Sequence, residues 1–289
     1  MRLSLPDIFR KSAQSVASIG KCAIMSRPPS PGSRRENDRP LIIMGNGPSL
    51  RHVLDNDRDS LLTHDLMAVN FAANTPEFFE LRPKYYVLAD PHFFTGTDTD
   101  PNVARLWDAL GRTHWEMTMF VPCLRKREFE ARYAMRMRDA GVKVKWFNLT
   151  PVEGLPAISH FLFRHGLGMP RPRNVLIASI MLALREGYRD IYITGADHTW
   201  SRSLWVDDRN RVVSVQPHFY KDRPDELDRV AREYAGYHLH DILNSLTIAF
   251  RSYFDIARYA ASVGASIVNA TPGSMIDAFP RGTLPAPKT

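Results

Sequence analysis

The chain has 289 residues, 44% hydrophobic and 24% charged, with two cysteines and a formal net charge of +7. That is enough apolar material for a full globular core, and it excludes a disordered, fibrous or disulfide-framework protein. The charge is uneven: residues 1–39 hold eight Lys/Arg against three Asp/Glu, five of the seven surplus charges, so the nearly balanced remainder argues against a nucleic-acid partner.

The stretch 3–25 mixes Leu5, Ile8, Phe9, Val16, Ile19 and Ile24 with Arg10, Lys11 and Lys21. These interruptions exclude a membrane-spanning helix and a continuous signal-peptide core. The stretch reads first as a frayed basic extension and second as a weak amphipathic anchor. Residues 27–39, with Pro28, Pro29, Pro31 and Gly32 among charged side chains, read as a linker. Residues 1–39 are therefore expected to be a flexible arm, dispensable for folding, ahead of a single domain over 40–289. Cys22 and Cys123 cannot build a Cys-based zinc site and point to a reducing, cytoplasmic compartment. The basic arm leaves peripheral contact with the inner face of a membrane open.

From residue 40 onward, apolar runs at 41–44, 66–69, 85–89, 117–121, 142–147, 191–194 and 266–268 alternate with helical patterns at 101–110, 125–140, 175–186 and 242–261. The alternation predicts an α/β, Rossmann-like fold: a largely parallel sheet with helices on both faces. Residues 199–240 are polar and aromatic without a clean period, the mark of a lid region.

Ligands in such folds sit at the carboxyl ends of the strands, and here those ends are chemically marked. The first run leads into Gly45-Asn46-Gly47-Pro48-Ser49-Leu50, two glycines followed by a helix start whose free N–H groups favour an anion. It is neither a Walker loop nor a three-glycine dinucleotide fingerprint. The second run ends in Asn70, the third in Asp90-Pro91-His92, and a later one in Thr194-Gly195-Ala196-Asp197-His198. Together these predict one shared ligand cleft.

Gly45-Asn46-Gly47-Pro48-Ser49-Leu50, Asn70, Asp90-Pro91 with Phe93-Phe94, and the segment Gly187-Tyr188-Arg189-Asp190-Ile191-Tyr192-Ile193-Thr194-Gly195-Ala196-Asp197 together resemble the bacterial sialyltransferases of glycosyltransferase family 42. The glycine turn and the late strand end are also similar to the 6-hydroxymethylpterin diphosphokinase-like domain. The family resemblance implies a CMP-activated acidic sugar donor, a glycan or glycolipid acceptor of the lipopolysaccharide or capsule type, inversion, and no cofactor or metal. It implies that Asn46 and Gly47, flanked by Gly45 and Ser49, meet the phosphate and cytidine, and that Asn70 bonds the donor. Asp197, with Thr194, Gly195 and His198 around it, would face the ribose or base. Asp90 stands where the family has an Asn, which leaves the donor sugar's identity open. Arg173 and Asn174 replace the family's Ser-Gly before its long helix, as an anion partner and a polar partner.

The resemblance further implies a lid histidine as general base and tyrosines on the leaving phosphate. His240 is favoured, ahead of His238 and His218; two positions apart near a helix start, His240 and His238 are expected to point in different directions. Tyr220, Tyr234 and Tyr237 are the tyrosine candidates. Asp98-Thr99-Asp100 has the spacing of a cation-binding carboxylate pair but reads better as a local turn. Two other readings stay open: a pterin diphosphokinase-like transferase using Mg and ATP, and a non-catalytic nucleotide- or glycan-binding module. An oligomer also stays open.

Overall fold

The computed structural model describes residues 4–33, 35–214 and 236–287. Its centre is β1 (Leu41–Met44), buried along its whole length. Leu41 and Ile43 enter one core and Ile42 and Met44 the other, which is why this strand is a continuous apolar run rather than an alternating one. Around it lie β2 (Asp65–Val69), β3 (Tyr85–Val87), β4 (Thr118–Pro122), β5 (Lys143–Phe147) and β6 (Asp190–Thr194). A small hairpin, β7 (Leu204–Val206) and β8 (Val212–Ser214), stands apart, and β9 (Ser266–Asn269) ends the main sheet. The order is β5-β4-β3-β2-β1-β6-β9, every pairing parallel, so all seven apolar runs are strands of one sheet.

Helices cover both faces. In chain order they are α1 (Leu5–Met25), α2 (Ser49–Asn56), α3 (Arg58–Thr63), α4 (Pro76–Leu81), α5 (His92–Thr95), α6 (Pro101–Leu110), α7 (Lys126–Arg132), α8 (Ala134–Asp139), α9 (Pro156–Arg164), α10 (Val175–Arg185) and α11 (Leu239–Ser262). α2 to α8 line the core that takes Ile42 and Met44; α9, α10 and α11 line the other, with Cys22 of α1. Residues 176–184 of α10 are all buried, in keeping with its all-round apolar pattern.

Two expectations change. The helix expected over 125–140 breaks at Tyr133, whose ring stacks on Trp107 at 3.7 Å and whose hydroxyl bonds Thr97; this packing outweighs a continuous helix. The expected flexible arm is a 21-residue helix docked on the body, followed by a hydrogen-bonded connection. Ser30 bonds Trp146 of β5 in both directions and so covers the edge of the sheet, while Asn148 holds Arg27 through two bonds. In the expected lid, Trp200–Ser203 forms a 3-10 turn leading into the β7–β8 hairpin; His218, Tyr220 and Tyr234 lie outside the described residues.

Candidate functional site

β1 has β2 on one side and β6 on the other, and the chain builds β2 to β5 outward before crossing to β6. The strand ends therefore diverge at β1 and β6, the switch point where an open α/β sheet leaves a crevice. The two turns there pass within backbone contact. A Cβ on Gly45 would lie 2.4 Å from the Gly195 carbonyl oxygen, and a Cβ on Gly195 2.5 Å from that of Gly45. Gly195 also has φ +62°, a conformation that favours glycine.

The helix start after the turn is not a free phosphate cradle, which corrects the sequence expectation. The Asp197 carboxylate accepts the Ser49 N–H at 3.3 Å and the Ser49 hydroxyl at 2.8 Å, and the Gly47 N–H goes to the Gly195 carbonyl at 2.9 Å. Parallel pairing of β1 with β6 delivers Asp197 opposite the first turn of α2, where a carboxylate is favoured by the same exposed N–H groups that would bind phosphate. Gly47 makes room for it: a Cβ there would meet the Asp197 Oδ2 at 2.0 Å. Asp197 is thus bonded to the start of α2.

Other polar atoms at this edge have no partner among the described residues. Asn46 donates its amide to the Val69 carbonyl at 3.2 Å, leaving its buried Oδ1 unbonded; Thr194 Oγ1 and Asn174 Nδ2 are also buried and unbonded. Asn174 is the N-cap of α10, and α10 runs back antiparallel to β6, so its start lies on the same sheet edge as Asn46 and Thr194. Each such atom costs free energy unless a water or a bound molecule meets it.

Behind the edge runs a buried relay. Asn174 Oδ1 accepts the Ile177 N–H at 3.2 Å, so it is an acceptor toward the Tyr253 hydroxyl at 3.0 Å; the Tyr253 oxygen then accepts from His198 Nε2 at 2.6 Å. That order makes His198 the Nε2–H tautomer, with its lone pair on Nδ1. Burial pushes its pKa down from 6.5 to about 3, so the ring is neutral, and it packs on Trp200 at 4.1 Å. Because the folded-state pKa lies below the unfolded one, the associated stability is complete above about pH 6.5. It is lost as pH falls toward 3, at up to about 1.4 kcal/mol per pH unit. Melting curves should therefore fall more steeply from pH 6 to pH 4 for the wild type than for His198→Gln; parallel slopes would show that this ring is not buried neutral.

The remaining expected site residues separate into two groups. Asn70, at φ +51°, gives its carbonyl to the Tyr86 hydroxyl, and exposed Asp90 accepts the His92 N–H at 2.8 Å; both are at the correct edge. Arg173 is exposed beside the α10 cap. His240 and His238 are not brought to the strand ends. The first buried residue of α11 is Ala249, and His240 lies thirteen positions before Tyr253, about 20 Å along the helix at 1.5 Å per residue. His240 is 80% exposed beside Asp241, and its ring stacks parallel to that of His238 at 5.8 Å rather than pointing away. His238 is the extended N-cap, not a helical residue, so the angular rule for helix neighbours does not apply to it. Tyr237 is exposed next to them. Asp98 pairs with Arg132 at 2.8 Å while Asp100 caps α6 and contacts His92, so that carboxylate pair acts locally.

No protein-family model matches the chain, and no curated protein matches it in sequence. Its fold is similar over 97% of its length to a solved MAf glycosyltransferase from Magnetospirillum magneticum AMB-1, with a TM-score of 0.50 and 13% identity. The chain spans 39% of that structure's length. At that identity the likeness concerns the fold.

Sequence reasoning missed the residues that hold the β6 turn from behind. Thr271 Oγ1 accepts the Ala196 N–H at 3.1 Å, Ser274 Oγ donates to the Ala196 carbonyl at 2.6 Å, and the Met275 N–H reaches the Asp197 carbonyl at 2.9 Å. The polar run Asn269-Ala270-Thr271-Pro272-Gly273-Ser274 after β9 was the available signal. Tyr253, in the middle of a helix, carried none.

Proposed function

We propose that the chain is a glycosyltransferase that takes a sugar nucleotide, a CMP-activated acidic sugar, at the β1/β6 crevice and transfers the sugar with inversion to a surface-glycan acceptor. The observation that carries the reading is the trio of buried polar atoms without a partner among the described residues, Asn46 Oδ1, Thr194 Oγ1 and Asn174 Nδ2, at the switch-point edge of a parallel sheet. An amide oxygen, a hydroxyl and an amide N–H suit the mixed donor and acceptor edge of a nucleoside or sugar. Asn70 and Asp90 extend the polar edge toward the sugar, and Arg173 at the start of α10 is the cation available to the donor phosphate. That role passes from α2 to α10 because Asp197 fills the start of α2.

His198 lies at this edge, but a pKa near 3 makes its free ring nitrogen a hydrogen-bond acceptor at neutral pH rather than an efficient base. The acceptor proton is therefore left to the histidines expected over 199–240, of which His218 lies, with Tyr220, outside the described residues.

The test is a thermal-shift panel of CMP, CDP, UDP, GDP and ATP with and without Mg. CMP alone is expected to raise the unfolding midpoint, and Asn46→Ala to weaken its binding by about 0.5–1.5 kcal/mol, roughly 2- to 12-fold. Stabilisation only by nucleoside triphosphates with Mg would replace this reading with the diphosphokinase-like one.

A further inference from the structure

α1 turns its small polar residues inward and its large apolar ones outward. Ser15, Ser18 and Cys22 are buried against the body: Ser15 Oγ accepts the Leu155 N–H at 2.8 Å, Ser18 Oγ donates to the Glu153 carbonyl at 2.9 Å, and the Cys22 thiol meets the Leu167 carbonyl. On the opposite side Leu5, Phe9, Val16 and Ile24 are 79%, 81%, 70% and 76% exposed. Leu5, Phe9, Ala13, Val16, Gly20 and Ala23 follow one another at steps of three or four, so they form one uninterrupted apolar face. Ile8, Ile19 and Met25 add further exposed apolar surface on the same helix. A docked surface helix ordinarily buries such a face, and a contiguous exposed apolar patch marks an interaction surface.

The charge around the patch selects the partner. Arg10 and Lys21 are eleven residues apart, three helical turns, so they stand on one line along the margin of the apolar face, where long basic side chains reach lipid headgroups. The segment 1–39 carries five of the chain's seven surplus positive charges. A second copy of the chain would bring two such segments together and be repelled, whereas an anionic bilayer complements them. Among the described residues no helix is long and apolar enough to cross a membrane, so the helix would lie along the surface, not through it.

We propose that the outward face of α1 is a membrane-binding surface, with the helix lying in the headgroup plane of a bilayer that contains anionic lipid. The body then hangs from the membrane through the rigid contacts of Ser15, Ser18 and Cys22. This assignment rests on α1 alone and does not depend on the transferase reading.

Vesicle sedimentation of the full chain tests it, with phosphatidylcholine vesicles and with phosphatidylcholine carrying one quarter phosphatidylglycerol. The protein is expected to pellet with the anionic vesicles and not with the neutral ones, and to be released as salt rises. Phe9→Glu with Val16→Glu should lower that partitioning about tenfold or more while leaving circular dichroism and the unfolding midpoint unchanged, since both side chains face outward. Leu5→Glu with Ile24→Glu provides a second pair on the same face. Failure of the wild type to pellet with anionic vesicles, or pelleting of both double variants equal to that of the wild type, would overturn the proposal. A concentration-dependent dimer in light scattering that either pair dissolves would also overturn it, by giving the face to a second copy.

Discussion

Removal of residues 1–39 is expected to lower the thermal unfolding midpoint by roughly 10 °C or more, corresponding to about 5 kcal/mol. The loss follows from the bonds this segment makes with the body. Without it, the Leu155 and Glu153 N–H groups lose their serine acceptors, and the Leu167 carbonyl loses Ser26 at 2.5 Å and Cys22. The half-buried Arg185 guanidinium loses the Ser30 carbonyl at 2.7 Å, and the Arg185 and Gly187 carbonyls lose Ser33 and Asn37. The edge of β5 is uncovered as well, so the shortened protein should also aggregate on heating. Circular dichroism melts of residues 40–289 beside the full chain check this; an unchanged, cooperative midpoint would restore the view of a dispensable arm.

The contrast between the arm and the sheet shows what composition and periodicity record. The seven strands were legible because each is an apolar run whose length and spacing admit one architecture, and alternate side chains of β1 serving two cores explain why the run has no gaps. The arm misled because proline and charge signal exposure, while its actual contacts are backbone and serine hydrogen bonds that leave no hydrophobic signature. α1 departs from its first reading as a frayed extension: it is a docked helix, and the face that docks is the serine and cysteine one, which carries no apolar signal.

At the site, the strand ends were legible and their internal pairing was not. Asn46, Asn70, Asp90, Thr194 and Asp197 all come to one edge because topology places every strand end there. That Asp197 would turn back onto Ser49 depends on the β1–β6 register, which pairs Met44 with Thr194 and is set by tertiary packing. The position of His240 depends on the length of α11, which at 24 residues outruns the strands it packs against.

Gly195→Ala is expected to destabilise the fold by about 3–5 kcal/mol and Gly141→Ala by only about 1–2 kcal/mol, although both glycines have positive φ, +62° and +70°. The comparison separates two costs that a glycine can conceal. At Gly141 nothing lies within 4 Å of the added Cβ, so the penalty is the left-handed backbone alone. At Gly195 the same methyl would lie 2.5 Å from the Gly45 carbonyl oxygen and 3.0 Å from the Leu50 Cβ, so the β6 turn must move away from the β1 turn as well. That movement carries Asp197 away from Ser49, so Gly195→Ala should also abolish the nucleotide binding proposed above while Gly141→Ala retains it. Urea unfolding gives the two stabilities and a CMP thermal shift gives the binding. Equal destabilisation of the two variants would mean that the turns do not need their close approach, and the crevice between β1 and β6 would lose its claim to be a site built by glycine.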